Sequence, residues 1–206
     1  MDLQWALYNA SPQISLHHTP APQQGDIDIL VRSVRKCAND WLDNEIVSSV
    51  RLYLLHGRLE PFEDGPPRKI IFYFCHYLEV PNQKHRRALT RLLLADHPLA
   101  VEQLRRGSRY HPVVPRHSRL CRLCNGNIET PEHILLLCGA SPALLDLRHK
   151  FLVSLQSQGI HTPVPTWSNA VSVLQGILCN RSSINLLAKF VYDALAVVEK
   201  TPLYRP

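Results

Sequence analysis

One segment of eighteen residues constrains the fold of this chain more than any other feature. Cys121, Cys124, His133 and Cys138 follow the spacing C-x2-C-x8-H-x4-C. Two cysteines separated by two residues can hold one ion from a tight turn, and a histidine with a third cysteine can complete a tetrahedron. Four protein ligands with no open position are typical of structural zinc. The spacing therefore predicts a structural zinc site. The alternative is that these four residues share a segment without binding a metal.

The residues between the two ligand pairs favour a turn followed by a short helix. Asn125-Gly126-Asn127 is a turn signal, and Thr130-Pro131-Glu132 predicts a helix start with threonine as the N-cap. His133 then lies in the first helical turn. Residues five apart in an α-helix point about 140° away from each other. We therefore expect the helix to end by Cys138, and the glycine at position 139 is typical of such an end.

Length and composition limit the remaining possibilities. The 206 residues are 45% hydrophobic, which is enough to bury a core in one domain or in two small ones. A net charge of +6 favours an acidic partner. No N-terminal targeting pattern or membrane-length apolar run is evident, so we expect no membrane association.

The cysteine pattern predicts a reducing environment. Three of the six cysteines belong to the metal pattern, while Cys37, Cys75 and Cys179 lie singly in apolar surroundings. Isolated apolar cysteines are more typical of reduced core residues than of disulfides. The sequence thus predicts an intracellular protein, either nuclear or cytoplasmic.

Hydrophobic periodicity predicts an all-α fold, namely a helical domain with a small CCHC zinc-knuckle-like element. We expect a poorly ordered N-terminal arm over residues 1–25 and an N-terminal helical region over 26–80. Basic helices and the zinc-binding element should occupy residues 81–140, and a C-terminal helical region residues 141–206. The clearest apolar stripe runs from Leu186 to Val198 and is typical of a core or helix-packing surface.

Several boundaries within the N-terminal region are specific expectations. Asp43 or Asn44 should cap a second helix that stops at Gly57. Residues 60–68 should form a loop or a joint between domains, because they contain three prolines and a glycine. Residues 70–80 are ambiguous between helix and strand, and we favour helix on length.

Positive charge is concentrated immediately before and within the predicted zinc element. Residues 84–122 contain ten lysines or arginines and two acidic residues, so the rest of the chain is slightly acidic. Arginine forks bind phosphate oxygens and stack on bases, and Tyr110, His111 and His117 offer further stacking surfaces. The cluster favours nucleic-acid binding over the alternative, an ordinary solvated surface with salt bridges.

Residues 85–102, 120–124 and 129–138 resemble the zinc-binding region that follows the polymerase core of non-LTR (LINE-like) retrotransposon reverse transcriptases. In that family an L-T-R-L-R-x-G-H helix precedes C-x-x-C and then E-T-x-E-H-x-L-x-x-C. The resemblance spans roughly residues 68–140, about a third of the chain, and implies that Cys121, Cys124, His133 and Cys138 are the zinc ligands. It departs from the family at residues 94–96, where a glycine often precedes the histidine, so it assigns no role to His97.

The resemblance also implies that nearby arginines face template RNA or target DNA. Together with the charge clustering, it predicts a nucleic-acid-binding set that comprises Arg86, Arg87, Arg91, Arg105, Arg106, Arg109, Arg116, Arg119 and Arg122. Polymerase chemistry uses paired aspartates, yet the sequence contains no Asp-Asp dipeptide. The carboxylate clusters of ribonuclease H or endonuclease domains are not evident either. We therefore expect no enzymatic activity.

Two functions remain open from the sequence. The first is a zinc-stabilised nucleic-acid-binding module that resembles the C-terminal part of a retrotransposon reverse transcriptase, with RNA, DNA or both as the partner. The second is a protein-interaction domain in which zinc serves folding alone and the amphipathic C-terminal helices bind a protein partner.

Overall fold

The computed structural model describes residues 24–62, 65–69, 75–107 and 112–205. Six α-helices lie within these ranges: α1 Gln24–Ser48, α2 Gln83–Leu93, α3 Ala100–Gln103, α4 Pro142–Ser157, α5 Ala170–Leu178 and α6 Ile184–Val198. Single 3-10 turns occur at Tyr53–Leu55, His76–Glu79 and Arg116–Ser118, and a π-helical turn at His133–Leu137. Most of the predicted N-terminal arm lies outside the described residues, although its last two positions already belong to α1.

The described chain is mostly helical, as predicted, but it also contains a short β-hairpin. Strand β1 (Glu60–Phe62) pairs antiparallel with β2 (Gly65–Arg68), so the loop expected over residues 60–68 was wrong in part. The prolines of β2 are compatible with this sheet because each of its two strands has one unpaired edge.

Helix α1 is continuous where two helices were expected. Asp43 and Asn44 lie inside it and cap nothing at that point, and the helix ends at Ser48 rather than near Gly57. No glycine or proline interrupts residues 26–48, so helix propagation continues through the polar pair. Ile27, Val31 and Trp41 of this helix are all exposed.

The helix favoured for residues 70–80 is also wrong where it can be compared. Residues 70–74 lie outside the described chain, and His76–Glu79 forms a single 3-10 turn. Pro81 follows directly after Val80. Because the residue before a proline is disfavoured in the α conformation, the turn does not extend into a helix and ends before α2.

The core is built around α6. This helix packs against α2, α4 and α5, and the rings of Phe151 and Phe190 stack with centroids 4.4 Å apart between α4 and α6. Most of the predicted apolar stripe is buried, with Leu187, Val191 and Ala194 fully inaccessible to solvent. Residues of the metal-binding pattern, including Cys121 and Cys138, belong to the same hydrophobic cluster. The segment therefore packs as part of the core.

Two helix starts follow the expected capping chemistry. The Asn82 side chain accepts hydrogen bonds from the backbone N–H groups of Lys84 and His85 at the start of α2. Ser141 accepts from Leu144 N–H at the start of α4, where Pro142 occupies the first helical position. Within the described ranges, no helix combines the length and apolar character needed to cross a membrane.

Candidate metal centre and basic surfaces

The four predicted metal ligands converge on one point. One ligand atom from each of Cys121, Cys124, His133 and Cys138 lies within 4.8 Å of all the others. The sulfur atoms of Cys121 and Cys138 are 3.9 Å apart, and His133 Nε2 lies 3.4 Å from Cys124 Sγ. A tetrahedral zinc site, with bonds of 2.0–2.3 Å, would separate such atoms by about 3.5–3.8 Å. The cluster could therefore hold one metal ion.

A tight turn positions the first two cysteines. Asn125 has a φ of +53°, the left-handed conformation that asparagine tolerates better than most residues. Its N–H donates to Cys121 O at 2.8 Å, and Cys121 N–H donates to Asn127 O at 2.7 Å. Leu120 and Ile128 close the loop as an antiparallel bridge. The turn predicted from Asn125-Gly126-Asn127 is thus present and brings both thiols to one side.

A π-helical turn brings His133 and Cys138 together, although residues five apart in an α-helix would point away from each other. The chain becomes helical at Pro131, as predicted, and then widens into the π-turn at residues 133–137. Cys138 N–H donates to His133 O at 2.6 Å, an i→i+5 hydrogen bond. Residues five apart therefore lie about one turn from each other instead of pointing apart. Cys138 itself is extended, so the helix ends at the expected place.

The two buried thiols form a hydrogen bond with each other. The pKa of Cys138 is lowered to about 4, chiefly by the hydrogen bond from the Cys121 thiol; burial opposes this lowering, and His133 and the Ala140 N–H add to it. The same shared hydrogen bond and burial raise the pKa of Cys121, against which the N–H groups of Leu123 and Cys124 act. A metal ion could replace this proton, because metal binding requires deprotonated thiols.

Arg148 on α4 closes the end of the π-turn. Its guanidinium donates to Leu135 O at 2.8 Å, Ile134 O at 3.1 Å and Cys138 O at 2.9 Å. These carbonyls have no ordinary helical partner at a helix end. The charge also lies close to a centre that would carry one net negative charge with three thiolates and a divalent ion. No sequence pattern indicated this residue, because its partners depend on how α4 packs.

Trp167 lies over one metal ligand. Its ring stacks on the His133 imidazole with centroids 5.5 Å apart and planes at 17°. His133 is buried, with its Nδ1 atom lacking a hydrogen-bond partner among the described residues, while Trp167 is largely exposed. The tryptophan thus forms a partial cover between the imidazole and solvent, and nothing in the sequence pattern indicated this contact.

Glu129 and Arg122 join the metal-binding loop to the rest of the molecule. Their side chains, 0% and 5% exposed, form an ion pair at 2.9 Å. Glu129 also accepts from the N–H groups of Ala100 and Arg122. The guanidinium of Arg122 further donates to Pro98 O and Thr201 O. Arg122, which was predicted to face nucleic acid, therefore has a buried structural arrangement.

The other predicted arginines fall into three groups. Arg86 donates to Val80 O, and Arg119 is buried with donations to Val101 O and Val114 O. Arg91 and Arg105 are partly exposed and paired with Asp96 and Glu102, respectively. The exposed group, for which no ion pair is present among the described residues, comprises Arg87, Arg106 and Arg116. Arg109 lies outside the described residues.

The structure divides these arginines between two depressions. Arg87 and Arg91 line a cavity of about 450 Å³ between α2 and α6, together with Lys84 and Tyr192. A second cavity, of about 190 Å³, is lined by arginines from several parts of the chain and adjoins Pro131 of the metal-binding segment. The two cavities therefore contain different subsets of the predicted arginines.

Comparisons with known proteins yielded no relative. No protein-family model matches the chain, and no curated protein or solved structure matches it either.

Proposed function

We propose that this chain is a zinc-stabilised nucleic-acid-binding module without catalytic activity. The convergent Cys121, Cys124, His133 and Cys138 side chains support zinc as the metal, since three thiolates and an imidazole suit its preference for tetrahedral sulfur and nitrogen ligands. The single observation that carries nucleic-acid binding is the placement of exposed, unpaired arginines on segments next to this cluster. An intracellular location, nuclear or cytoplasmic, accompanies the proposal.

The zinc would act by folding the loop that carries and flanks these arginines. Arg116 lies five residues before Cys121, in the 3-10 turn that precedes Arg119. The backbone carbonyl of Arg119 accepts a hydrogen bond from Glu129 N–H at 3.0 Å. A fixed loop reduces the conformational entropy lost when arginines engage phosphates. The similarity of residues 85–102 and 120–138 to the zinc-binding region of non-LTR reverse transcriptases supports RNA or DNA as the partner.

A salt series tests the proposal. Zinc-loaded protein is titrated with single-stranded RNA and with duplex DNA, and log affinity is plotted against log salt concentration. Each phosphate contact contributes about −0.9 to the slope on duplex DNA, or about −0.7 on a single strand. The triple variant Arg105→Ala, Arg106→Ala, Arg116→Ala should flatten the slope by about two to three units and keep its zinc.

The matched control removes three charges far from the metal cluster. Arg32, Arg35 and Lys36 are exposed on α1, and their joint replacement by alanine should leave the slope nearly unchanged. Equal weakening by both triple variants would mean that charge acts as a diffuse field rather than through the proposed surface. Wild-type protein that binds neither RNA nor DNA at low salt would contradict the proposed function.

The second candidate is a protein-interaction domain with a purely structural zinc, and one observation favours it. Ile29 and Val47 of α1 are 58% and 53% exposed, so this helix presents apolar side chains to solvent. The C-terminal helices first considered for this role direct much of their apolar surface into the core. If nucleic acid does not bind, α1 is the surface on which to seek a protein partner.

A further inference from the structure

A cationic cleft lies beside the metal-binding segment. Its walls come from the turn after α1, from the region around α3 and from the loop before Cys121, and its volume is about 190 Å³. The polar side chains that line it are those of Arg51, Tyr53, His97, Glu102, Arg105, Arg116 and Arg119. Four guanidinium groups thus share one small cavity with a single carboxylate.

The carboxylate does not neutralise the cleft. Glu102 accepts from Arg51 Nε at 3.2 Å and from Arg105 Nε at 3.0 Å, so its charge is divided between two cations. The guanidinium of Arg116 forms no hydrogen bond or ion pair among the described residues. Arg119 is buried in the wall of the cleft, where its guanidinium donates to Val101 O and Val114 O. Glu102 therefore offsets only part of the positive charge of the four arginines, and repulsion among like charges is destabilising.

One wall of the cleft carries an unsatisfied polar atom. His97 is 2% exposed, and its Nδ1 has no hydrogen-bond partner among the described residues. A buried polar atom without a partner costs about 1–3 kcal/mol, so its presence beside a cationic cavity calls for an explanation. His97 lines the same cavity as the guanidinium groups, so an anion bound there would change the surroundings of its imidazole.

We propose that this cleft binds one phosphate group. The cavity is smaller than the roughly 300–1,000 Å³ of sites for whole small molecules, and it has room for several waters of about 30 Å³ each. A single tetrahedral anion therefore fits the space better than a complete nucleotide. Arginine forks bind phosphate oxygens through paired N–H donors, and Arg116 has its donors unused.

The origin of the phosphate is a separate question that rests on the proposed function. If the chain binds nucleic acid, the group is one backbone phosphodiester, held at the edge of the surface that includes Arg106. Pro131 lies within the metal-binding segment, and Arg119 lies just before it. The metal-binding segment therefore forms part of the wall of the cleft. Phosphate binding to the cleft does not by itself require nucleic acid.

Titration of the zinc-loaded full chain with inorganic phosphate tests the cleft directly. Ionic strength is held constant with chloride, while calorimetry reports affinity and NMR follows the His97 imidazole. Saturable binding with a shift of the His97 resonances is expected. Arg116→Ala should weaken phosphate affinity on the order of tenfold, because it removes a bidentate donor without disturbing a structural contact. Arg116→Lys should retain part of the affinity, and Arg35→Ala on α1 should leave it unchanged.

A second titration, with single-stranded RNA, identifies the source. Arg116→Ala should reduce the salt slope by about 0.7, and Arg35→Ala should not. If phosphate binds as described but no oligonucleotide binds, the phosphate site is supported and the proposed nucleic-acid binding is contradicted. If RNA binds but phosphate neither saturates nor moves His97, the cleft proposal is overturned while nucleic-acid binding survives. Equal loss of phosphate affinity in Arg116→Ala and Arg35→Ala also overturns it.

Discussion

At the scale of single residues, the metal-binding loop depends on the buried ion pair between Arg122 and Glu129. Glu129 is fully buried and receives two backbone N–H groups besides the guanidinium. Loss of the arginine would leave a buried carboxylate without its counter-ion. Such uncompensated charges cost more than the intact pair contributes, because desolvation is no longer offset.

Arg122→Ala is expected to lower the free energy of unfolding by about 3–5 kcal/mol. Urea unfolding of the zinc-loaded protein measures this change. Arg91→Ala is the matched control, since Arg91 and Asp96 form an exposed pair with 42% and 60% of their side chains accessible. An exposed pair contributes up to about 1 kcal/mol. Similar losses for the two variants would contradict the structural role of Arg122.

His97 gives the molecule an acid-sensitive component. Burial lowers the pKa of His97 from 6.5 to about 4, with smaller opposing effects from Glu102 and Asp96 and a lowering effect from Arg91. The unfolded chain therefore takes up a proton before the folded chain does as the pH falls. Stability from this group is fully present above pH 6.5 and is lost progressively as the pH falls toward about 4.

His97 is expected to contribute about 3 kcal/mol to the loss of stability across this window. Unfolding by urea at several pH values measures it. His97→Gln should flatten the pH dependence even if it also lowers stability overall, because the titrating group is removed. His117→Gln, at an exposed position, should retain the wild-type slope. Identical slopes for wild type and His97→Gln would show that other groups, such as the thiols, account for acid sensitivity.

The ligand residues were predictable because their chemistry is encoded in local spacing. Cys121, Cys124, His133 and Cys138 are all found in one cluster, as the sequence analysis expected. Roles that depend on tertiary contacts were not predictable in the same way. An arginine close to a cysteine gives the same sequence pattern in two different environments. Arg116 faces solvent, whereas Arg122 faces a buried carboxylate.

At the scale of secondary structure, the junction between the π-turn and α4 determines where Cys138 lies. The turn exposes carbonyl groups that an ordinary helix end would leave unsatisfied, and Arg148 binds three of them from α4. Hydrogen bonds from charged donors contribute about 1.5–3 kcal/mol each at most, and they are not additive. Arg148 therefore couples the position of a metal ligand to helix packing.

Arg148→Ala should lower the free energy of unfolding by about 2–3 kcal/mol and accelerate zinc transfer to a chromogenic chelator. Arg148→Lys should recover only part of this loss, since a single ammonium cannot match the planar fork. Lys150→Ala, which breaks an exposed pair with Asp146 on the same helix, should change stability by less than about 0.5 kcal/mol. Unchanged zinc-transfer rates in Arg148→Ala would show that the contact with α4 does not influence the metal site.

Elements with strong local signals were predicted better than those formed by long-range contacts. The apolar stripe from Leu186 to Val198 indicated α6, which spans Ile184–Val198. The β-hairpin and the continuous α1 were missed. Glu60 of β1 is anchored by Arg58 and by His76, which lies sixteen residues farther along the chain, and no helix or strand period records such a network.

At the scale of the whole molecule, the metal-binding segment and the helices share one hydrophobic cluster. Ile134 and Leu135 of the π-turn are fully buried in the cluster that includes α6. A zinc ion in such a segment can contribute on the order of 10–16 kcal/mol, comparable to the roughly 5–15 kcal/mol of a whole domain. We therefore expect metal loss to destabilise the shared core rather than the loop alone.

Purified protein should contain about one zinc per chain, and chelation should lower both the melting temperature and the hydrogen-exchange protection of α6. Trp167 fluorescence should respond to chelation because its ring stacks on a metal ligand. Cys124→Ser should reproduce the metal-free behaviour and give no response to added zinc. Cys179→Ser, at a half-buried position outside the cluster, should retain the metal.

A metal-free chain with an intact fold and a disulfide within residues 121–138 would show that the thiols stabilise this segment by another chemistry. Loss of protection confined to residues 121–138, with α6 unaffected, would instead show that the metal organises the loop while the helical core folds without it.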